Sequence, residues 1–216
     1  MDHFDGDALN LDKWTISNDS GATAWIPLVA GSSKGTLLRG ITGSTDNEYL
    51  SIYSSPLFLG DKDCGMEIGF YCSAVTDLTF EMGFTDVMTS KVLPVISDID
   101  TLANSNGAGD YAIVHMDTDQ TLTTMAFASE GSGSIAAVQK TEISTLAPTA
   151  DTLMTVRIQL MGNDAVCIVN DSQDYTVSLV PAIEGGTQLF AYALFGTRST
   201  ASKTIDIDWF EIWGDR

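Results

Sequence analysis

The last strand-like stretch of the chain, TIDIDWFEIW at residues 204–213, carries three carboxylates, Asp206, Asp208 and Glu211. Hydrolysis of a glycosidic bond uses a pair of carboxylates, which in retaining enzymes stand about 5–5.5 Å apart. In a regular β-strand the two aspartates face one side and Glu211 faces the other, so only a β-bulge would bring all three together. The pattern therefore predicts an ordinary closing strand, and we predict no catalytic residue here or elsewhere in the chain.

A long irregular stretch, residues 97–110, is rich in the oxygen-bearing side chains that Ca²⁺ prefers as ligands. The candidate ligands are Asp98, Asp100, Asn104, Asn106 and Asp110. Their spacing does not match the EF-hand pattern, and Asn, Asp and Gly also form loops without any metal. Two interpretations stay open, a Ca²⁺ site and a plain loop of turn residues. We expect that no cofactor is required, with Ca²⁺ as the candidate ion.

Four tryptophans are further candidates, because exposed aromatic rings can stack on sugars. Trp14, Trp209 and Trp213 lie in apolar contexts typical of a core and are predicted to be buried. Trp25, in GATAWIP beside Pro27, is predicted to be exposed and is our candidate carbohydrate-binding residue. The alternative for Trp25 is burial in the core, which is the common state of a large aromatic side chain.

Histidine and cysteine give little evidence of a site. His115 stands in an apparent strand and is predicted to be a hydrogen-bonded strand histidine, not a member of a Ser–His–Asp arrangement. Cys64, Cys72 and Cys167 are an odd number and lack CxxC spacing. If Cys64 and Cys72 share one extended strand they lie about 26 Å apart, far beyond disulfide distance. We expect buried free thiols.

Charge and composition exclude several partners. The chain has 29 Asp and Glu against 10 Lys and Arg, a formal net charge of -19. Binding to nucleic acid or anionic lipid depends on Lys and Arg, so neither is an expected partner. No apolar run approaches the ~20 residues that span a bilayer, so we expect no membrane insertion. The acidic start, MDHFDGDALN, does not resemble an export signal and favours cytoplasmic synthesis, with a mature secreted chain as the alternative.

The secondary-structure signals are those of β-strands, in short segments rich in β-branched and aromatic residues between turn residues. The clearest predicted strands are 49–54, 66–74, 78–85, 111–117, 122–129, 135–141, 153–161, 165–170, 188–195 and 204–213. Two β-hairpins are predicted, with turns at residues 162–164 and 130–133. Strands in this number without helices imply two antiparallel sheets packed face to face, and residues 1–216 are predicted to form one domain.

The order of these segments resembles the concanavalin A-like lectin and glucanase superfamily. The opening FDGDALNLDKW is similar to the start of many members, with Phe4, Asp5, Leu11, Asp12 and Trp14 at matching places. The hairpin TVRIQLMGNDAVCIVND and the ending LFGTRSTASKTIDIDWFEIW resemble the late hairpin and last strand of the superfamily. The resemblance implies an all-β jelly-roll sandwich, with the N-terminal segment packed near the last strand. It also implies that Ca²⁺ near the binding loops is possible.

The resemblance implies three classes of function. Jelly rolls of this kind recur as decoration, cement or fibre subunits of bacteriophage virions, and the acidic, lysine-poor composition is similar to theirs. We therefore predict a non-enzymatic virion structural protein, made in the host cytoplasm and displayed on the virion surface. A carbohydrate-binding, lectin-like module that recognises cell-surface glycans is the alternative. A glycoside hydrolase or lyase is the second alternative, since fold alone does not fix function.

Self-association is expected because a sandwich has exposed strand edges and this chain has few lysines to protect them. The alanine-rich hairpin offers little side-chain bulk to hinder close approach and is the candidate contact surface. Its candidate interface residues are Met125, Ala126, Ala128, Ala136 and Ala137. The resemblance suggests a homotrimer, bound to capsid or tail proteins.

Overall fold

The computed structural model of the chain describes residues 2–3, 10–19, 21–28, 37–56, 58–88, 93–120, 125–131, 136–143, 148–172 and 176–214, with only the backbone of 2–3, 23–24, 27–28 and 136–137. Eighteen strands make up its regular structure: β1 Asp2–His3, β2 Trp14–Asn18, β3 Thr23–Leu28, β4 Leu37–Ile41, β5 Tyr49–Ser54, β6 Phe58–Leu59, β7 Cys64–Cys72, β8 Leu78–Thr85, β9 Ile96–Asp98, β10 Ala103–Asn104, β11 Tyr111–Asp117, β12 Met125–Gly131, β13 Ala136–Ile143, β14 Met154–Met161, β15 Asp164–Val169, β16 Thr176–Leu179, β17 Gln188–Thr197 and β18 Thr204–Gly214. None of the described residues forms a helix of the length and apolarity needed to cross a membrane.

The strands form two large antiparallel sheets. The first sheet has the order β16-β15-β14-β7-β18-β4-β3, and β1 pairs with β18 beside it. The second sheet has the order β13-β12-β11-β8-β17-β5-β2, and β6 pairs with β17. Strand β14 shows why these segments are strands, because its residues alternate between buried and partly exposed along its length. The all-β, jelly-roll sandwich predicted from the sequence is confirmed.

The core between the sheets is apolar and rich in aromatic rings. Phe70 of the first sheet meets Phe195 of the second with ring centroids 5.3 Å apart, in an edge-to-face arrangement. Trp14 is buried and stacks on Phe210 of β18 at 4.5 Å, as predicted for a core tryptophan. This contact confirms that the N-terminal segment packs against the last strand. The residues Phe4 and Asp5 of the opening motif lie outside the described part of the chain.

The predicted strands match the structure closely. Nine of the ten begin and end within two residues of an observed strand, and the exception is the strand predicted to begin at Leu122, which begins at Met125. Both predicted hairpins are present, since β14 pairs with β15 and β12 pairs with β13. The turn after β14 contains Gly162 at a positive φ of 62°, the conformation for which glycine is favoured.

A β-bulge interrupts the last strand. Ile207 pairs with Phe70 of β7, but the next pair joins Trp209 to Gly69, so Asp208 is an extra residue. The side chains that face the core change from Ile205 and Ile207 before the bulge to Phe210 and Ile212 after it. A bulge that inserts one residue turns every later side chain to the other face. Trp209 therefore faces outward, and the prediction that it is buried was wrong.

The three cysteines are free and buried, as predicted. Burial raises the pKa of the Cys64 thiol to about 12, and it also raises that of Cys167. Because the thiolate is the reactive form, we expect native protein to resist a thiol reagent such as iodoacetamide at pH 8. The denatured chain should take up three labels, counted by mass spectrometry. Rapid labelling of the folded protein would contradict the buried positions.

Candidate functional site

Two tryptophans lie on the outer face of the first sheet, where three neighbouring strands present a compact set of side chains. On β18 this face shows Trp209, Glu211 and Trp213, at alternate positions after the bulge. The partners on β7 are Gly69, Glu67 and Gly65, and those on β14 are Thr155, Arg157 and Gln159. We call the six larger side chains the tryptophan platform: Trp209, Glu211, Trp213, Glu67, Arg157 and Gln159.

Both indoles lie against glycines of β7. A Cβ atom built on Gly69 would stand 2.5 Å from Cη2 of Trp209, and one built on Gly65 would overlap the ring of Trp213. Only glycine allows an aromatic ring to lie so close to the neighbouring strand. Four residues of an extended strand span about 13 Å, so the platform presents two rings at roughly that spacing. Both rings are partly exposed, and the prediction that Trp213 is buried was also wrong.

Hydrogen bonds fix the position of Trp209. Its indole Nε1 donates to Oε1 of Glu67 at 3.3 Å. The other carboxylate oxygen of Glu67 accepts from Nε of Arg157 at 2.6 Å, and Arg157 also reaches Asp171 at 3.3 Å. The guanidinium thus lies between two carboxylates on the same face. This arrangement orients one tryptophan of the platform before any ligand arrives.

Two adjoining depressions open beside Trp213. One has a volume of about 220 Å³ and is lined by Glu67, Arg157, Gln159, Glu211 and Trp213. The second, of about 160 Å³, shares Gln159 and Trp213 and continues toward the tip of the β14–β15 hairpin. The indole of Trp213, carboxylates, a guanidinium and an amide therefore line one shallow groove. Such a groove suits an extended ligand that offers both apolar faces and hydroxyl groups.

The carboxylates of the last strand do not form the closely spaced pair of a retaining glycosidase. Asp206 and Glu211 share the outer face because of the bulge, contrary to the expectation for a regular strand. Their partners on β7 are Tyr71 and Glu67, four residues apart, so their backbones are separated by about 13 Å. Asp206 is 4% exposed and accepts two hydrogen bonds from Arg39, at 2.6 and 2.7 Å. That ion pair gives Asp206 a structural role.

The outer face of the second sheet is closed by the chain itself. Residues 93–110, which we call the cover segment, lie across it and contribute Val95, Ile96 and Ile99 to a second apolar cluster. Ala126 and Ala128 of β12 belong to that cluster and are fully buried. Their small side chains do admit a close neighbour, as predicted, but the neighbour is this cover segment.

The predicted contact surface on the alanine-rich hairpin is therefore wrong for the residues whose side chains are described. Ala126 and Ala128 are under the cover segment, and Met125 packs into the core between the sheets. The side chains of Ala136 and Ala137 lie outside the described part of the structure. Self-association stays a prediction, without this surface to support it.

A buried polar cluster fastens the cover segment to the sheet. Glu81 of β8 is 0% exposed and accepts backbone hydrogen bonds from Val95 at 2.6 Å and Ile96 at 3.0 Å. Its carboxylate also accepts from the hydroxyl of Tyr192 at 2.5 Å, and it lies 3.1 Å from Nδ1 of His115. Burial, followed by the charge of Glu81, raises the pKa of Tyr192 well above its usual value. The cluster is fully enclosed, so no polymer reaches it in this conformation.

The strand position predicted for His115 is confirmed, but its hydrogen bonding is only half as expected. Nδ1 has the carboxylate of Glu81 as its partner, whereas the buried Nε2 has none among the described residues.

The candidate calcium ligands do not gather into one set. Asp98 accepts from the backbone of Asp100 and Thr101, whereas Asp110 is buried and accepts from the backbone of Glu184. Asn104 and Asn106 hold the turn at residues 107–108 through their own hydrogen bonds. Among the described residues, no three His, Cys, Asp or Glu side chains are arranged to hold a metal. These contacts support the interpretation of the segment as a loop built by turn residues, and Ca²⁺ binding stays a prediction.

Trp25 is not the exposed aromatic that the sequence predicted. It is 4% exposed, its Nε1 donates to the carbonyl of Ser51 at 2.9 Å, and its ring meets Phe195 edge to face at 6.1 Å. Pro27 follows in the same strand. The tryptophans in partial contact with solvent are Trp209 and Trp213 instead. A sequence signal for them exists, because Gly65 and Gly69 have the same four-residue spacing as the two tryptophans.

Comparison with known proteins supports the fold and adds no close relative. No model of a known protein family matches the chain, and a search of the curated proteins found no similar sequence. An uncharacterised protein from Mycobacterium paratuberculosis is similar in structure, with a TM-score of 0.61, 13% identity and coverage of 98% of each chain.

Two neighbours are named for carbohydrate ligands. The exoplasmic/lumenal domain of VIP36 in its Ca²⁺- and mannose-bound form has a TM-score of 0.56 at 11% identity, covering 93% of this chain and 82% of that one. A family 7 alginate lyase in complex with substrate has a TM-score of 0.54 at 11% identity, covering 97% and 95%. At this identity the likeness shows the fold alone, which is the concanavalin A-like jelly-roll sandwich.

Proposed function

We propose that this protein is a non-enzymatic carbohydrate-binding jelly roll that holds an extended glycan on the tryptophan platform. The observation that carries the proposal is the pair of partly exposed indoles, Trp209 and Trp213, each lying flat against a glycine on the outer face of the first sheet. A soluble protein gains nothing in folding from leaving two large aromatic rings in contact with water. Sugar rings have apolar faces that stack on such rings.

The polar groups between the two rings suit the hydroxyls of a sugar chain. Glu67 and Glu211 supply acceptors, Arg157 supplies donors, and Gln159 supplies both. The spacing of about 13 Å between the indoles would let two non-adjacent units of one sugar chain stack, one on each ring. The carbohydrate ligands named for structural neighbours support this class of ligand, although they do not locate the site.

A lyase or hydrolase is the competing class, because an alginate lyase is among the structural neighbours. Two groups of side chains could serve such chemistry. Glu67 and Glu211 of the platform face each other, but Glu67 already accepts from Arg157 and Trp209. Glu81, His115 and Tyr192 are buried under the cover segment. Glu81 already has four hydrogen-bonding partners. A polymer would have to displace the cover segment to reach them, so binding without cleavage is the function we favour.

Substitution of the tryptophans tests the proposal. We expect the wild-type protein to be retained by at least one of a panel of polysaccharides in co-sedimentation and affinity electrophoresis. Trp209→Ala and Trp213→Ala should each weaken that binding by about 10-fold or more, since each removes one stacked ring. Ile26→Ala, which shortens an exposed apolar side chain on β3 of the same sheet, is the matched control and should leave binding unchanged.

Two results would contradict the proposal: binding that survives loss of both tryptophans, and release of shortened oligosaccharides from the bound polymer. The virion role and virion-surface location predicted from the sequence stay predictions. A glycan-binding jelly roll is compatible with them, and mixing the purified protein with particles that lack it would test them.

A further inference from the structure

The charges around Trp213 restrict the ligand more than the fold does. Glu67 and Glu211 are directly opposite each other on neighbouring strands, and both line the larger depression with the Trp213 ring. Carboxylates in this relation repel each other, which makes the pair unfavourable unless a cation lies nearby. Arg157, on the neighbouring strand β14, lies on the far side of Glu67 from Glu211 and is shared with Asp171. Glu67, Glu211 and Asp171 together carry three formal negative charges, against the single positive charge of Arg157.

We infer that the ligand of the tryptophan platform is a basic glycan, a chain of amino sugars that carries protonated amines. This inference rests on the proposed function. A protonated amine in the larger depression would face the carboxylates of Glu67 and Glu211 and the face of the Trp213 indole. Carboxylates form charge-assisted hydrogen bonds with an ammonium group, and an indole ring attracts a cation over its face.

Anionic glycans are disfavoured by the same groups. A uronate carboxylate in the larger depression would stand beside Glu67 and Glu211, with Arg157 already committed to Glu67 at 2.6 Å. The net charge of -19 opposes the approach of a polyanion and favours that of a polycation. The charge of the expected ligand is therefore opposite to that of alginate, the acidic polymer cleaved by one structural neighbour.

Short oligosaccharides provide the test, because they limit non-specific attraction between a long polycation and an acidic protein. Binding of β-1,4-linked glucosamine, N-acetylglucosamine, glucose and mannuronate oligomers would be measured by calorimetry at about 0.15 M salt, at a pH that keeps the amines protonated. We expect the glucosamine oligomer to bind about 10-fold more tightly than its acetylated counterpart, which has the same length but no charge. The mannuronate oligomer should bind most weakly.

Two glutamate variants show whether the preference comes from the site. Glu211→Gln should weaken binding of the glucosamine oligomer far more than binding of the acetylated oligomer, and so remove most of the 10-fold preference. Glu142→Gln makes the same change of charge at an exposed position on β13 of the other sheet and should have no effect. Equal loss in both variants would show general attraction to an acidic protein and would overturn the inference.

The failure of this inference is distinguishable from failure of the proposed function. If neutral or acidic oligomers bind as tightly as glucosamine oligomers and lose binding in Trp213→Ala, the platform binds glycans but the basic ligand is wrong. If no oligomer depends on Trp209 or Trp213, both are wrong.

Discussion

Replacing Glu81 by glutamine is expected to lower the free energy of unfolding by about 3–5 kcal/mol. The carboxylate is fully buried and accepts from the backbone of Val95 and Ile96 and from the hydroxyl of Tyr192, with His115 as its fourth partner. Glutamine has nearly the same volume but replaces one acceptor oxygen with a donor NH₂ group. Two of the four partners would then face a donor, and buried donors without acceptors are costly.

Urea denaturation followed by tryptophan fluorescence measures this effect. Glu142→Gln is the control, because it makes the same chemical change at an exposed residue of β13 and should change stability by less than about 0.5 kcal/mol. A Glu81→Gln variant as stable as wild type would show that the carboxylate does not fasten the cover segment. Faster proteolysis within residues 93–110 of the variant is the expected local result, since those backbone hydrogen bonds hold the segment to the sheet.

The strands could be predicted from the sequence because their signal is local. In β14 the buried residues Met154, Val156, Ile158 and Leu160 alternate with polar ones, and turn residues follow at Gly162. The N-terminal and C-terminal motifs could also be joined correctly, as the stacking of Trp14 on Phe210 shows. These features depend on neighbours in sequence, or on a resemblance that covers both ends of the chain.

The candidate site could not be predicted in the same way, because it depends on the bulge at Asp208. The letters of TIDIDWFEIW fit a regular strand, which would place Trp209 in the core with Ile207. The register of β7 decides otherwise, since Gly69 leaves room for an indole on the outer face. That information lies about 140 residues away in the sequence.

Residues 93–110 show the same limit. Their Asn, Asp and Gly residues signal a loop, and the oxygen-rich composition suggested an ion. Their position over the second sheet depends on Glu81 and on the small side chains of Ala126 and Ala128. With that face closed by the chain itself, the outer face of the first sheet is where two large aromatic rings meet solvent. For this reason we propose the tryptophan platform, and not the covered face of the second sheet, as the binding site.

A buried ion pair between Arg198 and Asp117 joins the ends of β17 and β11. Arg198, just after β17, donates to both carboxylate oxygens of Asp117 at the end of β11, with Nε at 2.9 Å from Oδ1. The side chains of Arg198 and Asp117 are 7% and 0% exposed. Burial is the largest single effect on the pKa of Arg198 and lowers it. The hydrogen bonds to Asp117, together with the charges of Tyr49, Asp117 and Asp119, outweigh burial, so the pKa is raised. The guanidinium also donates to the hydroxyl of Tyr49 at 3.0 Å.

We expect Asp117→Asn to lower the free energy of unfolding by about 3–5 kcal/mol, because it leaves a buried guanidinium without its counter-charge. Arg198→Met should cost a similar amount by leaving Asp117 unpaired. The double variant Asp117→Asn/Arg198→Met should cost clearly less than the sum of the two, since neither charge then remains buried alone. Urea unfolding of all four proteins gives the coupling energy directly. Strictly additive losses would show that the two side chains do not stabilise the fold as a pair.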